Sequence, residues 1–160
     1  MSATHKTVTI DATAEKIFEF LSDPQNTAAG APNVLRVVDI RRSERRVGDT
    51  FRVIYKVFGR TFDEKVIVTR CDLPPRATPH RRYQLHESFA GPMKGTLIWT
   101  LEAQDIQTEA SVDVEYEDVS GVRGKGLNAL LLKRTKQKSL DRMLKYMKLF
   151  LEGGIASRSS

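Results

Sequence analysis

The sequence predicts an α+β fold in which a curved antiparallel sheet wraps one long C-terminal helix, with two short helices after the first strand and a cavity between sheet and helix. Three observations lead there. Residues 34–119 carry a run of period-two apolar segments joined by short connections. Residues 125–152 hold no proline, and no glycine after Gly126, and are rich in the good helix formers Leu, Lys, Met, Ala, Arg and Gln. About 28 residues at about 1.5 Å per residue give a rod of about 42 Å. A lone helix of that length after a run of strands needs a sheet to bury its apolar face.

The elements follow in order. Thr7-Val8-Thr9-Ile10 alternates and reads as a first strand. Thr13 is an N-cap candidate, with Lys16 at the capping-box position that would want Glu or Gln. Ile17, Phe18 and Leu21 share a helical face that ends before Asp23-Pro24. Pro24 suits the first position of a second short helix, stopped at Gly30-Ala31-Pro32. Strands then read at 34–41, 50–58, 61–71, 82–89, 96–102 and 108–119. A charged turn at 43–49 contains Gly48, Gly59-Arg60 is a hairpin signal, and Pro74, Pro75 and Pro79 break the chain between the third and fourth of these strands. Consecutive strands with short links pair antiparallel.

Size and charge narrow the function classes. The length of 160 residues suits one domain over 1–160, with an ordered core at about 5–152 and a Ser-rich tail at 153–160. The longest aliphatic run, 129–132, is too short to span a bilayer. The N-terminus lacks the basic-then-apolar pattern of a signal peptide. The lone Cys71 excludes an internal disulfide, and together these point to a cytoplasmic protein. Net charge is +6, concentrated in the long helix and in Arg41, Arg42, Arg45 and Arg46. No aromatic residues interleave with these clusters, so nucleic-acid binding is not expected. The helix charges leave peripheral contact with an anionic membrane or an acidic partner as one interaction reading. His5, His80 and His86 show no ligand spacing with Cys71, and neither a phosphate loop nor a nucleophile elbow is present, which predicts no metal and no cofactor.

Four phrases resemble the helix-grip superfamily (Bet v 1-like or START-like), within it the polyketide cyclase/dehydratase-like branch of small bacterial proteins. They are AEKIFEFLSDP (14–24), APNV (31–34), VTRCDLPP (68–75) and GTLIWTL (95–101), which in this order place the likeness over about 5–152. The resemblance implies a seven-stranded sheet around the C-terminal helix and a mostly apolar cavity for lipids, sterols, polyketides or hormone-like molecules. It implies no catalytic residue, because the superfamily has no shared catalytic signature.

Alternation puts Phe51, Val53, Tyr55, Val57, Phe62, Val66, Val68, Tyr83, Leu85, Phe89, Leu97, Trp99, Leu101, Val112, Val114 and Tyr116 on the inner face, with Glu64 and Glu87 at the same parity. A carboxyl among apolar residues has a raised pKa unless it is paired, and then suits general acid–base work. The plainer reading pairs each with a Lys or Arg or places it at a strand end. The candidate ligand contacts are Phe51, Tyr55, Phe62, Glu64, Tyr83, Glu87, Trp99 and Tyr116 from the sheet and Leu127 and Leu131 from the helix. The helix carries two stripes, Leu127, Leu130, Leu131 and Leu140, Leu144, Met147, Leu151, separated by the polar stretch 133–139. That break marks a bend or a cavity mouth. The expected function is binding of a small hydrophobic or amphipathic molecule, as carrier or sensor. A cyclase- or dehydratase-like enzyme without metal, using Glu64 or Glu87 with tyrosines, is the alternative.

Overall fold

The computed structural model describes residues 2–44, 46–75, 81–117 and 129–157. The order is β1 (Ser2–Ile10), α1 (Ala14–Leu21), α2 (Pro24–Ala29), β2 (Val34–Arg41), β3 (Thr50–Val57), β4 (Arg60–Asp72), β5 (Arg82–Ala90), β6 (Lys94–Gln104), β7 (Gln107–Tyr116) and α3 (Ala129–Ser157). The seven strands form one antiparallel sheet in the order β1-β7-β6-β5-β4-β3-β2. The helical pair α1–α2 therefore carries the chain from one edge strand to the other, and β2 to β7 return as a meander.

Local chemistry explains the helix ends. Thr13 Oγ1 accepts from the Lys16 amide and Asp23 Oδ1 from the Gln25 amide, satisfying donors that a helix start leaves open. α1 buries Ile17, Phe18, Phe20 and Leu21 against the sheet core, and α3 buries Leu132, Leu140, Met143, Leu144 and Met147.

Several strand ends shift by one to three residues from expectation, and three boundary differences have a physical reason. β1 begins at Ser2, because β7 offers it a partner along its whole length. α3 runs past Glu152 to Ser157: glycine lowers helix propensity without blocking the geometry, as proline would. The β3–β4 link is Phe58-Gly59 rather than Gly59-Arg60, since Val57 pairs with Arg60. Both link residues have positive φ, 50° and 80°, the backbone of a type I′ hairpin turn. Phe58 is exposed there and carries a bulky side chain in a left-handed conformation. Phe58→Asn, which restores the favoured Asn-Gly pair, is expected to stabilise the protein by about 1 kcal/mol, read as a higher denaturation midpoint at unchanged m.

Candidate functional site

A cavity of about 160 Å³ lies between the inner sheet face and α3. Alternate residues of neighbouring strands build its wall: Phe51, Val53 and Tyr55 from β3, Glu64 and Val66 from β4, Glu87 from β5, Leu97 and Trp99 from β6. Leu132, Thr135, Lys136, Ser139, Leu140 and Met143 of α3, three or four residues apart and so on one helical face, form the opposite side. Pro24, Thr27 and Ala28 of α2, the following Ala31 and Asn33, and Val34 and Val37 of β2 close one end. Ser139 Oγ donates to Asn33 Oδ1 at 2.6 Å and ties that end to α3.

The polar groups in this apolar shell converge. Lys136 Nζ donates to Glu64 Oε1 at 2.8 Å and sits 3.5 Å from the centroid of the Phe89 ring. Glu64 is only 6% exposed. Its second oxygen, Oε2, and the hydroxyls of Tyr55 and Tyr116 are buried without a hydrogen-bond partner among the described residues. Burial and the nearby Glu64 charge raise both phenols, Tyr116 to about 12. Glu87 lines this cavity and a second, smaller one. Burial outweighs the pull of Lys136 and, with repulsion from Glu64, pushes the Glu87 carboxyl up to about 7.

That shift has a consequence for stability. The folded protein keeps a proton on Glu87 up to about pH 7, the unfolded chain only to the ordinary value of 4.5. The native state thus binds more protons across this window, and the contribution of this group to stability falls as pH rises through it, by up to about 3 kcal/mol above pH 7. Glu87→Gln is therefore expected to melt higher than the parent at pH 8, with the difference vanishing near pH 4.5. Equal melting differences at both pH values would contradict this.

The predicted contacts divide. Phe51, Tyr55, Glu64, Glu87 and Trp99 line the cavity. Phe62, Tyr83 and Tyr116 do not: they pack against the rings of Tyr55, Phe18 and Phe89, the first two tilted and the third edge-on, at 5.7, 5.2 and 6.2 Å between ring centroids, so their inward parity serves packing. Leu131 is half-buried outside the lining, and Leu127 lies outside the described residues. The plainer reading fits Glu64, which is paired with Lys136, while Glu87 has no ion pair among the described residues. The sequence reading missed Leu132, Thr135, Lys136 and Ser139 as cavity residues. Their signal was present: they continue the face of Leu140 and Met143 across the polar stretch. Burial raises the Cys71 thiol, the opposite of what a reactive thiolate needs. No group of three or more His, Cys, Asp or Glu among the described residues is placed to hold a metal ion, and no helix there is long and apolar enough to cross a membrane.

Residues 1–148 match the family described as polyketide cyclase / dehydrase and lipid transport. No curated protein matches the sequence. Among solved structures, the chain is similar to the protein TTHA0849 from Thermus thermophilus (TM-score 0.70, 14% identity, covering 99% of this chain and 100% of that one). It is also similar to a START superfamily protein from Mycobacterium smegmatis (TM-score 0.64, 16% identity, 93% and 96% covered). A third is the Zhui aromatase/cyclase from Streptomyces sp. R1128 (TM-score 0.60, 18% identity, 96% and 97% covered). At these identities the likeness shows the shared helix-grip architecture.

Proposed function

The chain belongs to the polyketide cyclase / dehydrase and lipid transport family, and on that premise we propose that it binds a small, mostly apolar molecule in the cavity between the sheet and α3. The observation that carries this reading is the cavity itself: an apolar shell with a few convergent polar groups, the common make-up of small-molecule sites. Its volume of about 160 Å³ is close to the roughly 150 Å³ of an engineered apolar cavity that admits benzene, and below the roughly 300 Å³ where drug-sized pockets begin. The fit is to a ring-sized body rather than a sterol or a long acyl chain. Thermal melts with single-ring aromatics, fatty acids and sterols test this. Stabilisation by ring-sized compounds supports it, and stabilisation by sterols alone contradicts the size assignment.

A second reading is supported by one observation. Glu64, Glu87, Tyr55 and Lys136 line one cavity, and a carboxyl near pH 7 is suited to exchanging protons with a carbonyl compound. Glu87 would remove or return the proton beside the carbonyl, as aldol cyclisation and dehydration require. Solvent deuterium exchange at that carbon of a small ketone, lost in Glu87→Gln, is the expected result. An exchange rate unchanged in the variant removes this reading.

A further inference from the structure

The ionisable groups of the cavity do not cancel. Glu64 and Lys136 form a pair at 2.8 Å. Glu87 faces the same space and has no ion pair or side-chain hydrogen bond among the described residues. The smaller cavity on its other side is lined by Arg42, Arg46 and Asp49. Arg42 is paired with Asp23 at 3.5 Å, and the other two, Arg46 over the Phe18 ring at 5.5 Å and Asp49 accepting from Ser43 Oγ at 2.9 Å, carry opposite charges that offset one another. With both carboxyls ionised, the interior therefore carries one negative charge too many. Phe51, Tyr55 and Trp99 supply aromatic side chains to the same wall.

We infer that the ligand of this cavity is an organic cation, a protonated amine or quaternary ammonium on a compact ring-sized apolar body, with Glu87 as its counter-ion and the aromatic side chains around its charge. The inference rests on the cavity-binding reading and adds the ligand's charge to it. A cation brings the interior to neutrality and gains from aromatic faces in a desolvated site. A neutral ligand leaves the Glu87 carboxylate unpaired. An anion adds a second unpaired negative charge or must pull Lys136 away from Glu64. Lys136 itself opposes a cation only weakly, because Glu64 neutralises it and its ammonium already lies on the Phe89 face. The raised pKa of Glu87 fits a carboxylate without a counter-ion of its own. Binding a cation below pH 7 displaces that proton, so affinity rises up to about tenfold per pH unit toward 7 and levels above it.

Three probes of one size separate the possibilities: benzylammonium, benzyl alcohol and benzoate, titrated calorimetrically into the full chain at pH 6, 7 and 8. The expected result is benzylammonium about tenfold or more tighter than benzyl alcohol at pH 8, weakening toward pH 6. In Glu87→Gln, checked for a cooperative thermal melt, both the preference and the pH dependence are lost. The pH profile of the parent protein carries the test even where the variant fails to fold. Benzyl alcohol or benzoate binding more tightly at pH 8, or a preference for the cation that survives in Glu87→Gln, overturns the charge assignment and leaves the cavity reading standing. Saturable binding of none of the three overturns both.

Discussion

Lys136→Met is expected to destabilise the protein by about 3–5 kcal/mol at pH 8, because it removes the partner of a buried carboxylate. Glu64 is 6% exposed, its second oxygen is already without a hydrogen-bond partner among the described residues, and the ammonium of Lys136 is what balances its charge. At about 2–4 °C per kcal/mol for a chain of this size, the melting temperature falls by roughly 6–20 °C. The double variant Glu64→Gln with Lys136→Met should recover most of the loss, since positions 64 and 136 then hold no unpaired charge. A single variant within about 1 kcal/mol of the parent would show that the pair is open to water and contributes little.

Gly95→Ala is expected to cost about 3 kcal/mol or more, for a steric reason. A Cβ at Gly95 would collide with the Glu115 carbonyl oxygen and lie 2.7 Å from Phe89 Cζ. Gly95 pairs with Tyr116 on β7 and with Phe89 on β5, so backbone hems it in on both sides of an interior strand. Phe89 also carries the Lys136 ammonium over its ring, so moving it disturbs the cavity's charged pair. Gly153→Ala is the matched control. Nothing lies within 4 Å of a Cβ there, and alanine favours the helix, so that variant should be neutral or up to about 1 kcal/mol more stable. Equal effects at the two glycines would contradict the packing described.

Much of the fold was legible because strand periodicity reports which face a side chain takes. All sixteen residues assigned to the inner face are buried or half-buried, and Glu64 and Glu87 point inward with them. Periodicity does not report how far along a strand the cavity reaches. Phe62, Tyr83 and Tyr116 have the right parity and lie beyond its lining. The helix misled for another reason. Counting only apolar residues splits α3 into two stripes, yet Leu132, Thr135, Lys136 and Ser139 keep one continuous inward face. Lys136 turns inward because Glu64 lies across from it on β4, a pairing between residues 72 positions apart that no local pattern encodes. The break in the apolar stripe was the polar side of the cavity. The Phe58-Gly59 turn was off by one residue because phenylalanine is a poor fit to positive φ.

The central claim is that a small apolar-bodied ligand enters between the sheet and α3. Methyl-labelled methionine NMR tests it most directly. Met93 and Met143 line the cavity, whereas Met147 is fully buried outside the lining. Titration with a ring-sized ligand is expected to shift the Met93 and Met143 methyl resonances in a saturable way and leave Met147 nearly unmoved. A saturable shift at Met147 without Met93 and Met143, or no saturable shift at either cavity methionine, would contradict the account.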